Sequence, residues 1–71
     1  MNSNMLLGKI KEAGYSMSDF LTFVNIPAST WSKKIRGITE FNRDEIQRIV
    51  KFLSLSNAEL VDIFFNQKSI V

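Results

Sequence analysis

Four cations lie close together in the middle of the chain, on both sides of Gly37. They are Lys33, Lys34, Arg36 and Arg43. The segment 27–43 that contains them has a single acid, Glu40, so its local charge of +3 exceeds the formal net charge of +2 of the whole chain. Lysine and arginine form charge-assisted hydrogen bonds with phosphate and carboxylate groups. The cluster therefore predicts binding to an anionic surface, although the same cations could also form a solvated helix end.

Catalytic chemistry has little support in the residue types. The chain has no cysteine and no histidine, so disulfides, thiolate zinc sites and imidazole catalysis are excluded. Three carboxylates follow a capping residue by three positions, which is the spacing of a helix capping box rather than of an acid–base dyad. These pairs are Ser16/Asp19, Asn42/Glu45 and Ser56/Glu59. We predict a protein that is not an enzyme and that needs no cofactor, metal or small-molecule substrate.

Length and composition predict one small folded domain over residues 1–71. A chain of this length can close only one core, and its 45% hydrophobic and 23% charged residues are ordinary for a globular protein. The apolar runs are far shorter than a membrane span, and the N-terminus lacks a basic leader before a long apolar region. We therefore expect a cytoplasmic protein.

Apolar periodicity and helix start signals predict an all-α fold, a compact bundle of five short helices without strands. The expected bounds are 4–13, 17–24, 28–36, 43–53 and 57–66. Leu6, Ile10 and Ala13 share one face of the first helix, which Gly14 should end. Pro27 should separate the second helix from the third, because proline is accepted only in the first turn of a helix.

The second and third helices are separated by about three residues. Phe20, Leu21 and Val24 should face inward from the second helix, and Trp31 and Ile35 from the third. Trp31 could serve as a stacking platform for a base, but its spacing of one turn from Ile35 favours a position in the core. Two helices joined so closely, the second with a polar and basic outer face, are typical of a helix-turn-helix.

The residues of this region resemble the helix-turn-helix of lambda-repressor-like (Cro/CI) proteins, in the stretch MSDFLTFVNIPASTWSKKIRG. The longer stretch STWSKKIRGITEFNRDEIQRIVKFLSLSNAELVDIFF is similar to short phage- and prophage-encoded regulators of that superfamily, and the likeness covers about residues 6–66. Asn25 stands where the family often has glycine, and Met17 where it often has glutamine. The resemblance implies a five-helix DNA-binding fold and a nucleoid-associated role at a lysogeny/lytic genetic switch in a bacterial host.

The same resemblance implies which residues meet operator DNA, with the third helix as the recognition helix. The base-facing positions would be Ala28, Ser29, Ser32 and Lys33. The phosphate-facing positions would be Ser16, Lys34, Arg36 and Arg43. If about four phosphates are neutralised per subunit, log K should fall with log salt at a slope of roughly −3 to −4. In a dimer, two recognition helices about 34 Å apart would read a palindromic site.

The fifth predicted helix is more apolar than one buried face requires. Its apolar residues are Leu60, Val61, Ile63, Phe64 and Phe65. Either the end of this helix and the tail fold back on the first helix, or they meet a second subunit, since exposed apolar surface of this kind is typical of an interface. We assign to a candidate partner or dimer interface Phe64, Phe65, Ile70 and Val71.

Two functions are compatible with these features. The first is a Cro-like repressor that binds operator DNA as a dimer. The second is an antirepressor or modulator that binds a partner CI-type repressor, with or without DNA, its cations meeting acidic groups of that partner. The small base-facing side chains, the apolar excess of the fifth helix and the low net charge motivate the second. An antitoxin of a toxin–antitoxin pair is a third, less favoured possibility. We favour the operator-binding repressor.

Overall fold

The computed structural model describes residues 1–65. This part of the chain contains five helices. They are α1 (Ser3–Glu12), α2 (Met17–Val24), α3 (Ala28–Ile35), α4 (Arg43–Leu53) and α5 (Asn57–Leu60). The fifth continues directly into a π-helical segment, Val61–Phe65. Within these residues there is no strand, so the predicted all-α class is confirmed. The first four helices begin and end within one residue of their predicted bounds.

Side-chain caps start four of the helices. Each capping residue accepts a hydrogen bond from the backbone N–H three positions later, and the four are Asn2, Ser16, Asn42 and Ser56. The reciprocal bond that completes a capping box forms at two of the three predicted pairs, Asn42/Glu45 and Ser56/Glu59. At Ser16 only the bond from the Asp19 N–H is present, because aspartate is one methylene shorter than the glutamate of a full box.

The connection between α2 and α3 is a tight turn over residues 25–27. Asn25 adopts the left-handed conformation, with φ 57° and ψ 49°, and its N–H donates to the Leu21 and Thr22 carbonyls. Asparagine is among the few residues that adopt the left-handed conformation readily, so Asn25 can end α2 in the way that glycine often ends such helices. Ile26 then enters the core, and Pro27 precedes the first residue of α3.

The core takes residues from every helical segment except α5 and from two connections. Its buried apolar members are Leu6, Ile10, Phe20, Val24, Ile26, Trp31, Ile49, Leu55 and Ile63. Trp31 is only 5% exposed, and its ring meets those of Phe20 and Phe41 at centroid distances of 5.3 and 5.5 Å. The prediction that Trp31 belongs to the core is thus confirmed. Ala13 is exposed, contrary to prediction, because α1 ends before it and Ala13 only caps the last turn.

Polar links join segments that are distant in sequence. The Arg48 Nε donates to the Val24 carbonyl at 2.8 Å, which ties α4 to the end of α2. The backbone N–H of Asn2 donates to the Ile63 carbonyl at 2.7 Å, which ties the start of the chain to the π-helical segment. The first link holds the end of α2 against α4, and the second holds the start of α1 against the last helical segment. None of the helices in the described part of the chain has the length and apolar character needed to cross a membrane.

Candidate nucleic-acid interface

α3 turns one face to the core and the opposite face to solvent. Trp31 is buried and Ile35 half-buried, as their spacing of one helical turn predicts. Of the residues predicted to face bases, Ala28, Ser29 and Lys33 are exposed and Ser32 is half-buried. Ser29 and Lys33 therefore lie on the outer side of α3, with Ser32 at its edge. Ala28 is two turns before Ile35 and shares its stripe, and it is accessible because it begins α3.

A shallow groove of about 570 Å³ separates the first turn of α2 from the start of α3. Met17 and Ser18 line it from α2, and Pro27 and Ala28 line it from the other side. Ser16, which caps α2, is exposed, and its hydroxyl accepts the Asp19 N–H at 3.1 Å. The start of α2, with its free backbone N–H groups, and the front of α3 thus lie on the two sides of one concave surface.

Three of the four predicted cations are available to an external anion. Lys33, Arg36 and Arg43 are exposed, and none of them forms an ion pair with a residue of the described chain. The Arg36 Nε donates to the Ser32 carbonyl at 3.2 Å, which fixes the guanidinium beside the end of α3. Arg43 is the first residue of α4. These three cations lie at the end of α3 and at the start of the helix that follows it.

Lys34 behaves differently from its neighbours. Its Nζ lies 2.8 Å from the Glu45 Oε1 and donates to the Glu40 backbone carbonyl at 2.9 Å. It also lies 5.8 Å from the centroid of the Phe41 ring, and its side chain is only 11% exposed. The geometry does not support the prediction that Lys34 faces a phosphate, because the ammonium points inward, between α3 and α4. We therefore leave Lys34 out of the candidate interface.

Glu45 has a second role in this region that the sequence did not predict. Burial alone would raise the pKa of the Glu45 carboxyl, but hydrogen bonds from the Lys34 ammonium and the Asn42 N–H, helped by the charge of Arg48, lower that pKa below its usual value. Glu45 thus stays ionised and serves both as the cap of α4 and as the partner of Lys34. The sequence signal was the capping box, which gave only the first of these two roles.

Hydrogen bonds tie the loop between α3 and α4 to the last turn of α3. Gly37 has φ 81°, a left-handed value that strongly favours glycine. The N–H groups of Ile38 and Thr39 both donate to the Lys33 carbonyl, at 2.9 and 3.4 Å. Together with the bond from Lys34 to the Glu40 carbonyl, these contacts fix where Arg36 and Arg43 stand relative to α3.

The residues assigned to a partner or dimer interface are only partly described. Phe64 is half-buried, with its ring centroid 5.6 Å from that of Phe41, whereas Phe65 is 56% exposed. Ile70 and Val71 lie outside the described residues. Over residues 1–65, no group of three acidic side chains is placed to hold a metal ion.

No protein-family model matches this chain, and no curated protein or solved structure is significantly similar to it.

Proposed function

We propose that this protein is a phage-type transcriptional regulator that binds operator DNA through a lambda-repressor-like helix-turn-helix formed by α2 and α3. The observation that carries the proposal is the exposed polar face of α3 together with three cations beside it that have no partner in the described chain. Those cations are Lys33, Arg36 and Arg43. A helix of this kind fits the major groove of B-DNA, which is about 12 Å wide.

The outer face of α3 supplies the proposed base contacts. Lys33 can donate to the O6 and N7 acceptors of guanine, and the Ser29 and Ser32 hydroxyls can either donate or accept. The methyl group of Ala28 suits contact with a thymine methyl. Because the alanine and serine side chains are short, α3 must approach the base edges closely, and specificity would depend on the backbone contacts that position it.

The proposed phosphate contacts flank the recognition helix. Arg36 and Arg43 would bind phosphates at its C-terminal side, and the Ser16 end of α2 would meet a phosphate at its other side, since a helix N-terminus favours an anion. With Lys34 paired internally, about three cations per subunit would displace counterions from the duplex, namely Arg36 and Arg43 at phosphates and Lys33 in the groove between them. The expected slope of log K against log salt is therefore about −2.7 per subunit, which is less steep than the slope predicted for four phosphates.

A second function, a modulator that acts by binding a partner CI-type repressor, is favoured by one observation. The exposed base-facing residues Ala28 and Ser29 are small, and the front of α3 carries no Arg, Asn or Gln for bidentate base contacts. In that case Lys33, Arg36 and Arg43 would meet acidic groups of the partner, where charge complementarity sets the rate of association.

Fluorescence anisotropy of labelled duplexes separates the two functions. The duplexes are DNA from the region beside the gene and an unrelated sequence, titrated at several salt concentrations with and without the neighbouring repressor. A repressor of the Cro type binds the regulatory duplex alone and more tightly than the unrelated one. A modulator changes the signal only when the repressor is present.

A further inference from the structure

Three aromatic rings from different segments meet at the surface of the protein. They belong to Tyr15 in the connection before α2, Phe23 on α2 and Phe52 on α4, and we call them the aromatic surface. The centroid of the Phe52 ring lies 4.9 Å from that of Phe23, in a stacked arrangement, and 4.7 Å from that of Tyr15. Phe52 is half-buried, whereas Phe23 is 62% exposed. One face of the Phe23 ring is therefore covered by Phe52, and the other is open to solvent.

The exposed ring of Phe23 lies on the side of α2 that is opposite the groove beside α3. Leu21 lines that groove, and Phe23 follows Leu21 by two positions. Because a turn of an α-helix takes 3.6 residues, two positions correspond to roughly 200° around its axis. Asp19 precedes Leu21 by the same interval, so Asp19 and Phe23 share one face of α2, one turn apart. A ligand bound to this face leaves the groove open.

The unpaired charge beside Phe23 is negative. Asp19 is exposed and makes no ion pair within residues 1–65. Arg48 lies one turn before Phe52 on α4, but its guanidinium is paired with the Asp44 carboxylate and also donates to a backbone carbonyl of α2. Nothing on this face of α2 in the described structure therefore neutralises Asp19.

The neighbouring sequence does not balance this charge. The segment 12–32 supplies both Tyr15 and Phe23, and it contains two acids, Glu12 and Asp19, but no lysine or arginine. Lys51 is adjacent to Phe52 in sequence, but it lies one turn after Gln47, which lines a separate groove beside Phe41. The aromatic surface thus has an acidic edge, and it suits a cationic and apolar partner rather than the phosphates of a nucleic acid.

We infer that Phe23 and Asp19 bind an arginine side chain of a partner protein. The guanidinium stacks on the open face of the Phe23 ring, and its N–H groups donate to the Asp19 carboxylate. Side chains one helical turn apart have Cβ atoms about 5–6 Å apart, so one guanidinium can reach both groups. Arginine suits this arrangement better than lysine, because its planar group stacks on rings and is less strongly hydrated. An apolar residue next to the arginine packs on Tyr15 and Phe52.

Nuclear magnetic resonance titration of the whole protein tests this site without DNA. The probe is the acetylated and amidated peptide Ala-Leu-Arg-Leu-Ala, and its matched control has citrulline, the neutral isostere of arginine, at the central position. The arginine peptide should shift the backbone amide signals around Asp19 and Phe23. The citrulline peptide should bind at least about threefold more weakly, because it lacks the charge on which both contacts depend.

Variants of the two binding residues separate the contacts. Asp19→Asn and Phe23→Leu should each weaken binding of the arginine peptide about threefold or more, the second because leucine keeps apolar bulk but has no ring face. The matched controls are Asp62→Asn and Phe65→Leu. Both alter exposed residues of the π-helical segment, and Asp62 is also unpaired within residues 1–65. Neither control should change the affinity, and the spectrum of each free variant shows whether it is folded.

The inference is overturned if the arginine peptide leaves the signals around Phe23 unchanged at its highest soluble concentration. It is also overturned if the citrulline peptide binds equally well, or if the variants of Asp19 and Phe23 bind like their controls. The inference does not rest on the proposed DNA binding. Since no DNA enters the experiment, a failure of this site and a failure of DNA binding are distinguishable.

Discussion

The Lys34 ammonium lies 2.8 Å from the Glu45 carboxylate and joins the last turn of α3 to the first turn of α4. The adjacent Lys33 is exposed and makes no ion pair in the part of the chain that the structure describes. The two neighbouring lysines therefore have different roles. One holds the orientation of α3, and the other is available to an anion that approaches from outside.

Replacement of Lys34 by glutamine should lower the free energy of unfolding by about 2 kcal/mol, because the largely buried Glu45 carboxylate loses its charged partner. Urea denaturation at neutral pH measures this change. The matched control is Lys33→Gln, which should alter stability by no more than about 0.5 kcal/mol. Equal losses from the two lysines would contradict the different roles assigned to them.

Low pH should reduce the stability of the fold through protonation of Glu45. The pKa of this carboxyl is lowered in the folded protein from its usual 4.5, so ionised Glu45 stabilises the fold above about pH 4.5. That stabilisation is lost as the pH falls through the lowered pKa. Glu45→Gln keeps a residue suited to the capping box but removes the charge. The variant should be less stable than the wild type at pH 7, and the difference should shrink as the pH falls below 4.5 and through the lowered pKa of Glu45. A difference that is constant with pH would show that charge is not involved.

Replacement of Gly8 and of Gly37 by alanine should change the stability of the protein in opposite directions. A Cβ added at Gly8 or at Gly37 would meet no atom within 4 Å, so packing cannot decide the outcome. Gly8 lies within α1, where alanine should stabilise the protein by up to about 1 kcal/mol. Gly37 has φ 81°, where alanine should cost about 1 kcal/mol. Thermal unfolding of both variants tests this, and a shift of the same sign in both would contradict the backbone argument.

The three free cations should each contribute to the salt dependence of DNA binding. Lys33→Gln, Arg36→Gln and Arg43→Gln should each reduce the slope of log K against log salt by about 0.9. Lys51→Gln is the matched control, because Lys51 is also exposed and unpaired within residues 1–65 but lies in the last turn of α4. An equal loss of slope in the control would mean that attraction is spread over the whole surface.

Local signals in the sequence were sufficient to predict the helices. Ser16, Asn42 and Ser56 are capping residues, and Gly14 and Pro27 interrupt the apolar periodicity, so each helix end depends on residues next to it. For the same reason the core position of Trp31 follows from its spacing. The exposure of Ala13 did not follow, since it depends on where the last turn of α1 stops, which varies by a residue or two.

The distinction between Lys33 and Lys34 could not be read from the sequence. The two residues are identical and adjacent, and only the packing of α3 against α4 brings Glu45 and the ring of Phe41 within reach of one of them. The apolar surface around Phe41 escaped prediction for a related reason. Phe41, Ile46 and Phe65 come from two separate parts of the chain, and they form one surface only after α4 and the π-helical segment are in place.

The central claim, that the outer face of α3 binds DNA, is tested most directly by anisotropy of a labelled duplex from the region beside the gene. The protein alone should bind this duplex, its log K should fall with log salt at a slope of about −2.7 per subunit, and Lys33→Gln should reduce both affinity and slope. Absence of binding at low salt, or an affinity that does not change with salt, would contradict the claim.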